Sequence, residues 1–397
     1  MEEILYRYNP WWEEGHVFES IIERPCLLER IKHYEQSRHV VFLTGLRRVG
    51  KTTLLKLLIK HFIENLHIKP GHIFYISLDD YQLSKKTILE LVEEYRAIQR
   101  LSYKQKVILF FDEIAYQKDF ELQLKNLYDN QDVKIYASSS SASILKSKKP
   151  YLTGRSAIVE VLPLNFSEYL TFKQIKISKA DKHLKKQYFE DFLQTGGLPE
   201  YVLRGDIEYL KELVDDIIYK DITAFHNIKN QQVLKDFFLL LMERAGKAVS
   251  INKIARILKI SPDTAKRYLK MFADTYLIYL VSRCGRTNEK ILSPKKVYAA
   301  DLGIRTFFTG FRDIGSLFEN YAYLEIRHLK PCYIYEDGYE IDFLTEDKTL
   351  IEVKYYNAMP EKQKKLFDRF AAKKKIIIKD IDELERITPK PAVKQKK

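Results

Sequence analysis

Five short apolar-rich stretches punctuate the first 170 residues, at 40–43, 73–78, 107–111, 133–137 and 157–161. Each is too short for a stable helix and reads as a strand, and the runs without charge predict burial on both faces. Between the first two, Leu54, Leu55 and Leu58 fall at helical spacing. Strands alternating with helices predict an α/β fold around a parallel sheet. Ahead of it, Asn9-Pro10-Trp11-Trp12 reads as an aromatic strap, and Leu27, Leu28 and Ile31 as one face of a helix. Beyond Leu170 the period turns helical. Gly196-Gly197-Leu198-Pro199 ends one helix before Tyr201 resumes another, and 207–244 is predominantly helical. Two short helices follow, over 250–258 and from 261 on. Ser261 suits an N-cap and Pro262 the first helical position. Ala265, Tyr268, Leu269 and Phe272 form the inner face of the second helix, leaving Lys266, Arg267 and Lys270 outside. Strands are expected again at 297–300, 340–344 and 350–354, the last two as a hairpin.

Chemistry enters where the first strand meets its helix. Gly45, Leu46, Arg47, Arg48, Val49, Gly50, Lys51 and Thr52, followed by Thr53, match G-x-x-x-x-G-K-[ST] letter for letter. Such a loop curls backbone N–H groups round phosphate oxygens at a helix N-terminus. Lys51 is expected to reach the β- and γ-phosphates of ATP, and Thr52 to place its hydroxyl on Mg²⁺. The third strand runs straight into Asp112 and Glu113. That pattern delivers Asp112 to the same metal and Glu113 to the attacking water. After the fourth strand come four serines, which read either as a flexible turn or, through Ser138 or Ser140, as a sensor of the γ-phosphate. Asp79-Asp80, after the second strand, reads equally as a polar turn or a nucleotide-site feature. Arg155, just before the fifth strand, is a candidate to supply positive charge to the transition state.

Composition changes the picture modestly. Among 397 residues, 67 Lys and Arg stand against 54 Asp and Glu, a net charge of +13. That favours phosphate-rich partners such as DNA, although a lysine-rich solvated surface gives the same count. The two short helices make a helix-turn-helix whose basic face, Lys266, Arg267 and Lys270, would fit a major groove or serve as a spacer between proteins. The three cysteines are widely spaced with no C-x-x-C, which argues for a reducing compartment and against zinc. No signal segment and no membrane span are expected, so the reading is cytoplasmic.

In the last hairpin, alternation puts Asp342 with Leu344 on one face and Glu352 with Lys354 on one face. Asp342, Glu352 and Lys354 would converge at adjacent strand ends. Two carboxylates sharing a second divalent metal beside a lysine suit phosphodiester hydrolysis, whereas a charged hairpin edge shows the same letters.

Taken together, Asn9-Pro10-Trp11-Trp12, Gly45 to Thr53, Asp112-Glu113-Ile114, Leu152-Thr153-Gly154-Arg155, Gly196-Gly197-Leu198-Pro199-Glu200, Asp301-Leu302-Gly303, Leu317-Phe318-Glu319-Asn320 and Ile351-Glu352-Val353-Lys354 resemble a prokaryotic family. Its members are ATP-binding proteins with an AAA-type P-loop ATPase core, a winged-helix middle and a restriction-endonuclease-like C-terminal domain. The resemblance implies ATPase roles for Lys51, Thr52, Asp112 and Glu113, and a nuclease-like pattern on Glu319, Asp342, Glu352 and Lys354. Leu46 stands where the family has proline, and Ala137-Ser138-Ser139-Ser140 replaces its threonine-glycine-serine. The expected organisation is a strap (1–20), an ATPase domain (21–170), a helical and winged-helix region (171–294), a nuclease-like α/β domain (295–388) and a basic tail (389–397). Two functions are expected to compete. One is Mg²⁺-dependent ATP hydrolysis that drives or gates action on DNA, with or without cleavage. The other is a nucleotide-controlled switch that engages a protein partner. The oligomeric state stays open.

Overall fold

The computed structural model describes residues 1–141, 152–223, 228 and 230–388, so the basic tail from Pro389 lies outside the described residues. The five apolar stretches form β1 (Val40–Thr44), β2 (Ile73–Ser77), β3 (Val107–Asp112), β4 (Val133–Ser139) and β5 (Ser156–Glu160). They make one sheet in the order β2-β3-β4-β1-β5, with every pairing parallel. The register sets Ser77 opposite Asp112, Phe111 opposite Ala137, and Thr44 opposite both Ser139 and Glu160. All five C-terminal ends therefore share one edge, where ligands of open parallel sheets bind.

The edge strand β2 would expose unpaired backbone groups. The N-terminal strap covers them. Asn9 donates its side-chain amide to the Tyr75 carbonyl at 2.9 Å and accepts the Tyr75 N–H at 2.7 Å. The Trp11 and Trp12 indoles both donate to the Ile73 carbonyl, at 3.3 and 2.9 Å. Trp12 also stacks on Phe74 and Tyr95.

The chain divides into two compact units, Met1–Leu162 and the residues from Pro163 onward. In the second unit, helix Gln231–Met242, β6 (Ala248–Val249), helices Ile251–Leu258 and Pro262–Asp274, β7 (Ile278–Val281) and β8 (Lys295–Ala299) follow the element order of a winged helix. Their sheet runs β6-β8-β7, antiparallel throughout. The expected boundary at 294 thus falls inside a β-hairpin. Its long connection, which carries the short helix Thr287–Leu292, hides the pairing in the sequence.

A second sheet, in the order β12-β11-β10-β9, comprises β9 (Cys332–Glu336), β10 (Tyr339–Leu344), β11 (Thr349–Val353) and β12 (Lys374–Ile378). Several motifs in this unit are structural. Asp301 caps helix Leu302–Thr309 through the Ile304 N–H at 2.9 Å and accepts the Gly197 N–H at 2.7 Å. Asn320, buried on helix Ile314–Ile326, clamps the Ala299 N–H and carbonyl of β8 at 2.9 and 2.8 Å. Cys284 and Cys332 form a disulfide that joins the wing to β9, so wide spacing in the sequence is no guide to their redox state. Among the described residues no helix is long and apolar enough to cross a membrane.

Candidate functional site

Gly45 leaves β1 with φ +147°, so close to β5 that a Cβ there would lie 2.1 Å from the Val161 carbonyl oxygen. The buried side chains of Leu46 and Val49 pin the loop from below, so leucine fills inward the position where proline was expected. Arg47 is half-buried and Arg48 exposed. Gly50, at φ +95°, turns the chain into helix Lys51–Lys60. The helix's first N–H groups therefore face the C-terminal edge of the sheet. Lys51 is only 4% exposed, and its ammonium donates to the Gly45 and Leu46 carbonyls at 3.1 and 3.0 Å. A buried ammonium needs such partners, and phosphate oxygens are the stronger alternative.

Asp112, at the end of β3, gathers three hydroxyls. Oδ2 accepts Thr52 Oγ1 at 2.6 Å and the Tyr75 hydroxyl at 2.9 Å, while Oδ1 accepts Ser138 Oγ. Glu113 sits in the left-handed region at φ +48°. Its N–H donates to Ser138 Oγ at 3.0 Å, and its Oε2 accepts the Ser140 N–H and Oγ at 3.4 and 3.2 Å. Ser138 thus touches the aspartate and Ser140 the glutamate. Thr53, half-buried, follows on the helix.

Arg155 requires correction. Its carbonyl accepts the Val40 N–H at 2.8 Å, its guanidinium pairs with Asp129 at 3.3 Å, and it lies over the Tyr128 ring. In a parallel sheet a residue that precedes a strand falls at the N-terminal edge. The length of β1, about 13 Å, separates it from the loop. It is not part of this chain's own loop site. Asp79 and Asp80 make local turn bonds, to Ser77 Oγ at 2.6 Å and to the Gln82 N–H at 2.8 Å. Two contributors were missed. Tyr75 was only an apolar letter in a strand. Arg24 is buried and donates to the Val49 and Leu162 carbonyls at 3.2 and 2.9 Å, tying the loop to the end of β5. The inward phase of β2 is the signal that would have found Tyr75. Nothing local marks Arg24.

In the second unit, Glu319, Asp342, Glu352 and Lys354 do come together. Pairing of Phe343 with Ile351 sets Asp342 beside Glu352, and the Asn320 clamp brings Glu319 to β8. Lys354 donates to Glu352 Oε1 at 2.6 Å. The surprise is Lys296 of β8, wholly buried, whose ammonium meets Glu319 at 2.7 Å, Glu340 at 2.7 Å and Asp342 at 3.3 Å. Among the described residues no group of three or more His, Cys, Asp or Glu is disposed to hold a metal ion. The structure lends no support to the expected second divalent metal between Asp342 and Glu352, and a lysine sits among Glu319, Glu340 and Asp342.

Burial, then the Asp342 charge, pushes Glu352 up to about 8 and Glu319 up to about 7, against the pull of Lys354 and Lys296 respectively. Burial opposes the charge on Lys296, but Glu319 and its neighbours outweigh it and hold the ammonium charged. A carboxyl raised on folding contributes stability that is full below its unfolded pKa, near 4.3, and is lost as pH rises through the folded value. The unmodified chain should therefore lose melting temperature between about pH 4.3 and pH 8, and Glu352→Gln should lose less over that interval. Parallel slopes in calorimetric scans of the two would contradict the assignment.

Lys266, Arg267 and Lys270 are all exposed on helix Pro262–Asp274, whose N-cap is Ser261. Lys266 lies 3.6 Å from Asp263, a surface pair of small worth.

A phosphate-type loop after β1, opposite an Asp-Glu strand end in a β2-β3-β4-β1-β5 sheet, defines a P-loop protein of the AAA type. The AAA domain (AAA_14) matches residues 37–170, and a domain of unknown function (DUF8612) matches 186–314. The uncharacterized protein MJ1544 of Methanocaldococcus jannaschii is 34% identical over 333 residues, 78% of this chain and 73% of that protein. The chain belongs to its family. MJ1637 of the same organism is 26% identical over 424 residues, 95% of this chain and 87% of its own. Among solved structures, the Walker-type ATPase PABY2304 of Pyrococcus abyssi is similar at TM-score 0.45 and 15% identity, covering 72% of this chain and 96% of that one.

Proposed function

We propose that the chain is a Mg²⁺-dependent ATPase whose nucleotide cycle acts on DNA held by the second unit. The observation that carries the ATPase reading is the 2.6 Å contact between Thr52 and Asp112, which brings a loop hydroxyl and a strand-end carboxylate to one point. Both are hard oxygen donors of the kind Mg²⁺ takes, and they are the residues that would hold it. Bound Mg²⁺ neutralises charge on the phosphates. Lys51 would exchange its two carbonyl partners for phosphate oxygens. Glu113, braced by Ser140, would orient the attacking water, while Ser138 and Tyr75 hold the Asp112 carboxylate in place. The test is ATP turnover by the purified chain with Mg²⁺, with EDTA, and with or without duplex DNA. Turnover that EDTA leaves unchanged would refute the reading.

The DNA half rests on the exposed basic face of helix Pro262–Asp274 within a winged-helix order of elements. If Lys266, Arg267 and Lys270 each neutralise a phosphate, replacing all three by alanine lowers the slope of log K against log salt by about 0.9 per contact, about 2.7 together. Fluorescence anisotropy on a duplex across a salt series measures it. An unchanged slope in a folded variant would leave the nucleotide-controlled switch with a protein partner as the better reading.

A further inference from the structure

We propose that Lys296 is the resident cation of the carboxylate cluster in the second unit, so that the site is built to work without a divalent metal and does not cut phosphodiesters. An ammonium has three hydrogens to donate. Around Lys296 there are three carboxylate acceptors, Glu319 Oε1 and Glu340 Oε1 at 2.7 Å and Asp342 Oδ1 at 3.3 Å.

The remaining oxygens of Asp342 and Glu352 are already bonded within the protein. Asp342 Oδ2 accepts the Val353 N–H at 3.0 Å, and Glu352 Oε2 accepts the Asp342 N–H at 3.2 Å. Glu352 Oε1 takes both Lys354 at 2.6 Å and the Gln363 side-chain amide at 2.7 Å. The Tyr298 hydroxyl donates to Glu319 Oε1 at 2.7 Å. A Mg²⁺ ion demands oxygens at about 2.0–2.1 Å in near-octahedral array. It would have to break several of these bonds and sit beside an ammonium of like charge.

Nor can Lys296 readily leave. A surface lysine swings aside on a flexible stem, but this one is 0% exposed. Its backbone is paired on both sides, opposite Ala248 of β6 and Val281 of β7. Moving an unpaired ammonium through that interior strips it of both water and partners, which is strongly unfavourable. The winged-helix sheet therefore supplies, from its own central strand, the cation for acids borne on helix Ile314–Ile326 and β10.

The test counts bound Mn²⁺ by electron paramagnetic resonance on the full chain without nucleotide, so it does not depend on the P-loop reading. Four proteins are compared: the unmodified chain, Asp342→Ala, Lys296→Met and the Lys296→Met/Asp342→Ala double variant. The unmodified chain and Asp342→Ala should bind Mn²⁺ alike and leave plasmid DNA intact. Lys296→Met should gain one site at least tenfold tighter, and the double variant should lose it. A Mn²⁺ ion bound by the unmodified chain and lost in Asp342→Ala would overturn the proposal, as would a folded Lys296→Met that gains nothing. Should Lys296→Met fold poorly, its thermal unfolding with and without Mn²⁺ decides. Rescue by Mn²⁺ supports the proposal, and indifference to Mn²⁺ overturns it.

Discussion

Glu113→Gln should bind ATP with near-normal affinity and turn it over at least about a hundredfold more slowly, whereas Lys51→Ala should lose binding itself. The two residues fail differently because they stand in different places. Lys51 is buried at the mouth of the loop, where its ammonium donates to the Gly45 and Leu46 carbonyls. Without it, up to four phosphate charges face the loop under-compensated, and affinity should drop by about two orders of magnitude or more. Glu113 lies beyond the end of β3, and Ser140 holds its carboxylate by two donors. An amide keeps the shape and the packing but cannot polarise water as a carboxylate does. Equilibrium binding of a fluorescent ATP analogue, paired with phosphate release under single-turnover conditions, separates the effects. Unmodified turnover in both variants would mean that the loop is not a hydrolytic site.

The second large effect is expected at Gly45. Gly45→Ala should destabilise the first unit by about 3 kcal/mol and remove nucleotide binding with it, because the new Cβ would lie 2.1 Å from a backbone oxygen of Val161. A side chain can step aside from such a clash. Val161, hydrogen-bonded through its N–H to the Thr44 carbonyl at 2.7 Å, cannot do so without parting β5 from β1. Gly50→Ala is the control. It shares a positive φ, +95°, but meets nothing within 4 Å. Only torsional strain opposes it, about 1 kcal/mol. Urea titrations of both should rank them in that order. Equal losses would mean that torsion rather than contact makes Gly45 necessary.

What a reader of the letters can recover follows from the range of the forces involved. The loop motif, the Asp-Glu after an apolar run and the Ser261-Pro262 helix start are each written within about ten consecutive residues, because strand burial, helix capping and anion binding at a helix end are local. The strap was legible as aromatic letters, but its task was not, since Asn9 matters only beside a β2 edge that opens 64 residues later, at Ile73. Arg155 was misplaced for a related reason. Its nearness to a strand was clear, but which edge of the sheet it served depends on strands running parallel.

The hairpin carboxylates show the same division. That Asp342 and Glu352 would meet was legible, because one short turn connects their strands. That a lysine would stand between Asp342 and Glu319 was not, because Lys296 precedes those acids by 46 and 23 residues and reaches them from a different sheet. Cys284 and Cys332 pair across 48 residues, and Tyr75 reaches Asp112 across 37. By itself the sequence determined the strand-loop-helix unit, the buried strands and the helix starts, since period and capping depend on neighbours in the chain. Strand order, register and the side chains that converge from distant segments were decided only by the tertiary structure, because they depend on which surfaces bury each other, and no run of adjacent residues states that.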